Sequence, residues 1–183
     1  MANMHYTITV AVDPDVLEQW TEHRDSERLP QEARATVRTS SIRDWLMSDI
    51  AGHREFLGLQ SLDWLANEIE APSRTTEHLD SRDYWWFVWI LYPSSFQASI
   101  DDLDRLLRHA REQPQRFGAT AEDVRAAYAW DQGCDALDFD IPNVGEGDDP
   151  MYVLCSILAL RRLVTLAQSH GLPVVHMRYS YRA

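Results

Sequence analysis

The strongest feature of the hydrophobic pattern is a run of nine residues, 84–92, that contains only aromatic, β-branched and leucine side chains. This composition is typical of a β-strand. Arg82-Asp83 before the run and Pro93-Ser94-Ser95 after it indicate its ends. A half-exposed strand alternates apolar and polar positions, and this run does not. We therefore expect both of its faces to be covered, one by helices of the same domain and the other by the same domain or by a partner.

Two further strands are predicted near the ends of the chain, where apolar and polar residues alternate. In residues 4–12 and 174–181 the apolar positions are Tyr6, Ile8, Val10 and Val12, and Val175, Met177, Tyr179 and Tyr181. The opposite positions include His5, Thr7, Thr9, His176, Arg178 and Ser180. We expect half-exposed strands with these polar positions toward solvent.

Helical spacing of apolar residues occupies most of the chain between these strands. The predicted helices begin at Asp13-Pro14, at Leu29-Pro30, at Ser41, at Ser61, at Ser99, at Thr120 and at Asp149-Pro150. The helix from residue 29 is expected to run to Arg38, and the most apolar one to run from residue 150 to His170-Gly171. Residues 71–83 are predicted to be a loop, with a strand in their second half as the alternative.

These elements predict a single α+β domain over residues 1–183. The polar positions of the terminal strands favour a small, mainly antiparallel sheet with helices packed on one face. A ferredoxin-like arrangement with inserted helices is our specific expectation.

Charge adds a second feature, because the chain carries a formal net charge of −12 and its negative groups are concentrated. Residues 121–150 contain nine Asp or Glu and one Arg. Direct nucleic-acid binding is not expected, since phosphates are neutralised by clustered basic residues. A basic protein partner is favoured. The alternative is a solvated loop between two helices, with further acids at helix starts. The candidate partner-binding residues are Asp131, Asp135, Asp138, Asp140, Glu146, Asp148 and Asp149, together with Trp85 and Trp89 of the aromatic strand.

Signatures of catalysis or metal binding are weak in this sequence. The acids of residues 138–149 do not follow the spacing of a calcium loop, and the seven histidines form no zinc motif, so no metal and no cofactor are expected. No nucleophile motif occurs. Neighbouring terminal strands would bring His5, His176 and Arg178 together, which is the one candidate catalytic constellation.

Location follows from what the N-terminus and the apolar segments lack. Residues 1–5 carry no signal-peptide pattern. The apolar stretch from Tyr152 to Ala167 is interrupted by Arg161-Arg162 and is shorter than a bilayer requires. We expect a cytoplasmic protein that does not contact a membrane, with Cys134 and Cys155 as thiols; a disulfide between them is the alternative.

Three functional hypotheses follow. The first is a non-enzymatic binding protein of the inhibitor, immunity or antagonist type, whose acidic face docks on a basic, nucleic-acid-handling or toxic protein. The second is a small enzyme that acts on an anionic metabolite through His5, His176 and Arg178. The third is a structural subunit, such as a homodimer, with the aromatic strand as its interface.

Overall fold

The computed structural model describes residues 3–23, 31–39, 62, 75–79, 84–134 and 149–182. Within these ranges the chain forms five strands: β1 (Asn3–Ala11), β2 (Ala35–Arg38), β3 (Thr75–Leu79), β4 (Tyr84–Leu91) and β5 (Val174–Arg182). It also forms four α-helices: α1 (Pro14–His23), α2 (Phe96–Glu112), α3 (Ala121–Gly133) and α4 (Pro150–His170). Short 3-10 turns at Pro93–Ser95 and Pro114–Phe117 precede and follow α2.

The five strands form one sheet in the order β2-β1-β5-β4-β3, and each neighbouring pair is antiparallel. The two terminal strands pair along their full length, from Asn3 opposite Arg182 to Ala11 opposite Val174. The predicted α+β class with an antiparallel sheet is confirmed. A ferredoxin-like sheet is built from split β-α-β units. The described topology differs from it, because α1 and the α2–α4 segment each connect strands that are adjacent and antiparallel.

One face of the sheet packs against a layer of helices formed by α2, α3 and α4, as predicted, and α4 contacts β1 and β2 directly. Strand residues Ala11, Val37, Leu91 and Val174 belong to the same buried cluster as the apolar residues of these helices. α4 is the central element of this layer, with 11 buried residues, and it contacts both α2 and α3. Burying each of its Val, Leu and Ile side chains stabilises the fold by roughly 1.5–3 kcal/mol. This gain explains why α4 is apolar around most of its circumference.

The opposite face carries a smaller cluster, in which α1 covers the central strands. Leu17 and Trp20 of α1 pack with Val10, Val175 and Met177. Both faces of β1 and β5 are therefore covered over the described side chains. The expectation that these strands are half-exposed is wrong, since Thr7, Thr9 and His176 are all buried.

Two other expectations are corrected by the structure. The predicted helix through Arg38 ends too late, because Ala35–Arg38 is strand β2. Alternate residues of β2, Ala35 and Val37, are buried, and β2 pairs with β1. The helix predicted from Ser99 begins at Phe96 instead, immediately after the 3-10 turn. The helices predicted at Ser41 and Ser61 lie outside the described residues, except that Leu62 belongs to the core.

The ends of α3 and α4 are stabilised by capping interactions. Thr120 and Asp123 form a reciprocal capping box at the start of α3. Asp149 accepts a hydrogen bond from the Met151 backbone at the start of α4. Gly171 ends α4 with φ of 66°, a left-handed conformation that favours glycine.

By length and composition alone, α4 is long and apolar enough to cross a membrane, and among the described residues it is the one helix that is. It has 21 residues, more than the apolar stretch from Tyr152 to Ala167, so length does not argue against a span. In this fold it occupies the centre of the helical layer.

Candidate functional site

The polar side of the two terminal strands forms a buried hydrogen-bonded cluster. His176 on β5 lies opposite Thr9 on β1, and the Thr9 hydroxyl is 2.8 Å from His176 Nδ1. The same hydroxyl is 3.3 Å from the Thr39 hydroxyl. Thr9 and Thr39 are fully buried and His176 is 1% exposed. Neutral groups can occupy such a position when their hydrogen bonds are satisfied. We refer to Thr9, Thr39 and His176 as the Thr-His cluster.

The structure brings together the strand positions of the predicted catalytic constellation. Arg178 lies opposite Thr7, and His5 lies opposite Ser180, so His5 and Arg178 share the face of the Thr-His cluster. The side-chain contacts of His5 and Arg178 lie outside the described part of the structure. The imidazole of His176 is closed off from solvent, so a substrate would reach it only if the surrounding packing opened. The solvent-facing position expected for His176 is therefore wrong, and the catalytic role of His5, His176 and Arg178 remains a prediction.

The two described members of the predicted acidic docking face are both engaged within the chain. Asp131 Oδ1 lies 2.6 Å from Arg162 Nε, a close ionic contact that is not aligned as a hydrogen bond. Asp149 caps α4. Asp131 is therefore paired with a guanidinium group and Asp149 caps a helix, and their part in a partner interface remains a prediction. The other five predicted residues, Asp135, Asp138, Asp140, Glu146 and Asp148, lie outside the described residues.

The two residues that flank residues 135–148, Cys134 and Asp149, both have contacts with α4. At the N-terminal end of this segment Arg162 donates hydrogen bonds to the backbone carbonyls of Cys134, at 2.6 Å, and of Asp131. At its C-terminal end Asp149 begins α4. Arg162 is 12 residues along α4 from Pro150, which corresponds to about 18 Å of helix.

Trp85 and Trp89 lie in β4, in the interior of the sheet. Trp89 is opposite His176 and Trp85 is opposite Ser180 in the β4–β5 pairing. The strand prediction is confirmed, although β4 ends at Leu91 and Tyr92 is 56% exposed. The side-chain environment of residues 84–89 lies outside the described part, so the role of Trp85 and Trp89 in a partner interface remains a prediction.

A feature that sequence reasoning missed lies between α2, α3 and α4. It is a groove of about 620 Å³ with four arginines among its lining residues. Each helix contributes one stripe: Asp104, Leu107, Arg108 and Arg111 from α2; Tyr128 and Asp131 from α3; and Leu158, Arg161 and Arg162 from α4. Two carboxylates and four guanidinium groups give this Arg groove a formal charge of +2, in a chain whose net charge is −12.

Two of the four arginines are held by carboxylates. The Arg161 guanidinium binds the Asp104 carboxylate through Nε and Nη2, a bidentate geometry. This hydrogen bond raises the pKa of Arg161 further. Arg162 pairs with Asp131. These contacts connect α2 and α3 to α4 and fix the two sides of the groove.

The other two arginines differ, because Arg108 and Arg111 have no carboxylate partner among the described residues. The Arg111 guanidinium lies over the Tyr128 ring, 4.0 Å from its centroid. Burial raises the pKa of the Tyr128 hydroxyl, and the positive charge of Arg111 acts in the opposite direction. The hydroxyl is therefore protonated at neutral pH. Both arginines are exposed.

A sequence signal for the groove was present. Residues 104, 107, 108 and 111 follow i, i+3, i+4, i+7 spacing, and residues 158, 161 and 162 follow i, i+3, i+4 spacing. Helical spacing is normally used to recognise stripes of apolar residues. Here the stripes are mostly charged, and only the packing of three helices brings them together.

Within the described ranges no group of three or more His, Cys, Asp or Glu side chains is placed to hold a metal ion. Comparisons of the chain with protein-family models, with curated proteins and with solved structures found no match. Function is therefore inferred from the residues and contacts described above.

Proposed function

We propose that this protein is a non-enzymatic cytoplasmic binding protein of the inhibitor, immunity or antagonist type, which docks on a basic protein partner through residues 135–148. One observation carries the proposal. These 14 residues contain five acids and no base, whereas residues 84–134 and 149–182 together contain nine Arg and eight Asp or Glu. The negative charge of this half of the chain is thus concentrated in one short segment.

The contacts around the segment support the same conclusion. The described aspartates of the three-helix layer all have partners: Asp101 with Gln97, Asp102 with Arg105, Asp104 with Arg161, Asp123 with Thr120, Asp131 with Arg162 and Asp149 with the Met151 backbone. Arg162, which contacts the backbone of Cys134 next to this segment, and its neighbour Arg161 are already engaged by Asp131 and Asp104. A cationic surface on another protein would complement the carboxylates of residues 135–148 and accelerate association at low ionic strength.

The test replaces the five acids by their amides and measures partner capture. The variant carries Asp135→Asn, Asp138→Asn, Asp140→Asn, Glu146→Gln and Asp148→Asn. The matched control carries the same change of charge at five exposed acids elsewhere: Asp15→Asn, Glu18→Gln, Asp101→Asn, Glu112→Gln and Glu122→Gln. The tagged proteins are used to capture partners from a lysate at low and at high salt, and the captured proteins are identified and quantified.

We expect the native chain and the control to retain a basic protein at low salt, and the segment variant to lose it. High salt should weaken that capture, because exposed charges separated by more than about 8 Å are screened at physiological ionic strength. The proposal fails if the segment variant captures the same protein as well as the control does, or if no captured protein is basic.

A further inference from the structure

The Arg groove between α2, α3 and α4 belongs to neither the acidic segment nor the Thr-His cluster. We propose that it is a binding site for a small molecule that carries a phosphate or carboxylate group. Its volume of about 620 Å³ is within the range of roughly 300–1,000 Å³ that is typical of small-molecule sites. All nine of its lining residues are described.

The charges in the groove favour one small anion. Asp104 and Asp131 are neutralised by Arg161 and Arg162, so the positive charge in excess is that of Arg108 and Arg111. These two residues are three apart on α2, which places their side chains on one helical face about 5–6 Å apart at Cβ. Both can therefore contact the same oxyanion. Guanidinium groups bind phosphate and carboxylate through two parallel hydrogen bonds.

Tyr128 and two leucines define the rest of the site. The ring of Tyr128 supports the face of the Arg111 guanidinium, which leaves N–H groups at its edge available to a ligand. The protonated Tyr128 hydroxyl is available as a further donor. Leu107 and Leu158 provide apolar surface for the carbon portion of a ligand. The two carboxylates, in a chain with a net charge of −12, disfavour a long polyanion such as nucleic acid.

The test measures binding of two probes by isothermal titration calorimetry, with ionic strength held constant by sodium chloride. Inorganic pyrophosphate represents phosphate ligands and citrate represents carboxylate ligands. The variants are Arg108→Gln and Arg111→Gln. The matched control is Arg125→Gln, an exposed arginine of α3 that does not line the groove. Circular dichroism of each variant confirms that it is folded.

We expect saturable binding of at least one probe with one site per chain. Each groove variant should weaken it about tenfold, the change in a binding constant expected from the loss of one charge-assisted hydrogen bond. The control should change it less than about twofold. Binding of pyrophosphate alone identifies a phosphate ligand, binding of citrate alone a carboxylate ligand, and binding of both a general oxyanion site.

Two results would overturn the proposal. One is the absence of saturable binding of either probe below about 5 mM, a concentration at which even a weak site is occupied. The other is a loss in Arg125→Gln as large as the loss in the groove variants, which would show that only the overall charge matters. The five-fold amide variant of residues 135–148 should retain oxyanion binding, so this test and that of the proposed function can fail independently.

Discussion

The Thr-His cluster and the Arg groove are two polar regions that differ in their exposure to solvent. The Thr-His cluster contains hydroxyls and an imidazole, and it is sealed between the sheet and its covering layer. The Arg groove contains guanidinium and carboxylate groups, and it stays partly open, with 38% of the Arg161 side chain and 40% of the Asp104 side chain exposed. The polarity of a region alone therefore does not determine whether it is exposed to solvent.

The difference follows from the cost of removing each kind of group from water. A hydroxyl or imidazole that finds a hydrogen-bond partner can be buried at little net cost, whereas a buried charge loses several kcal/mol of solvation. The cluster can therefore stabilise the core. The groove keeps its charged groups partly exposed to solvent.

The largest expected effect comes from truncating the buried imidazole. His176→Ala should lower the free energy of unfolding by about 3 kcal/mol, because it leaves a cavity and removes the partner of the Thr9 hydroxyl. Urea unfolding of both proteins measures the difference. His170→Ala, at the exposed end of α4, is the control and should change it by less than about 0.5 kcal/mol.

If His176→Ala does not fold, Thr9→Val retains the volume of the side chain and removes only its hydroxyl. It should cost about 1–2 kcal/mol, because buried polar groups lose a partner. A cost below about 0.5 kcal/mol for Thr9→Val would show that the Thr-His cluster is not a stabilising feature of the core.

The second effect is a difference in stability between variants of the two paired arginines of the groove, Arg161 and Arg162. Arg162→Ala should cost about 2 kcal/mol, because it breaks an ion pair and hydrogen bonds to two backbone carbonyls. Arg161→Ala removes a half-exposed pair and should cost at most about 1 kcal/mol. Unfolding in low and high salt measures both, and equal costs for the two variants would contradict this assignment.

The third effect concerns a partly exposed carboxylate, Asp123, at the start of α3, outside both the Thr-His cluster and the Arg groove. Hydrogen bonds from the Thr120 backbone and hydroxyl hold the pKa of Asp123 below its usual value. Because the folded pKa is the lower one, this stabilisation is complete above the unfolded pKa and is lost as pH falls through the folded pKa. Asp123→Ala should therefore cost about 1 kcal/mol at pH 7, and progressively less below about pH 4.

Denaturant unfolding of Asp123→Ala from pH 7 to pH 2 measures that trend. Glu122→Ala, in the same first turn, is the control for the helix dipole. A cost for Asp123→Ala that is independent of pH would contradict the role of its ionised form in the cap.

The smallest effect is a difference in reactivity between the two thiols. Burial raises the pKa of Cys155 to about 12, whereas Cys134, next to Arg162, is partly exposed. Iodoacetamide at pH 8 should alkylate Cys134 in the folded protein and leave Cys155 unmodified until urea is added. Mass spectrometry identifies the modified site. Rapid alkylation of Cys155 in the folded protein would show that this side chain of α4 is accessible to solvent and not buried in the core.

Much of the fold was predictable because local patterns and tertiary environment agreed. The continuous apolar run of β4, the alternation in β1 and β5, and the caps at Thr120 and Asp149 each predicted an element that the structure contains. β2 was misassigned as helix because four residues are too few to establish a period, and its pairing with β1 decides the outcome.

The sites were less predictable, because they depend on contacts between residues far apart in the chain. The alternation in β1 predicted that its polar residues face solvent. This prediction was wrong because a layer of helices covers that side, which the local pattern does not show. Asp131 pairs with Arg162, which lies 31 residues away in the chain, and no local pattern of the sequence indicates this contact. The Arg groove likewise needs three helices before its charges form one site.

The central position of β5 has a consequence for how the molecule assembles. Its two neighbours are β1 and β4, so the sheet stays divided into separate β2-β1 and β4-β3 ribbons until the segment from Val174 to Arg182 is in place. During synthesis on the ribosome, that joining step waits until β5, the last of the described strands, has emerged. Pairings between such distant segments also make for slow folding. A chain that ends before Val174 should accordingly lack the protease resistance of the intact protein, which limited proteolysis can establish.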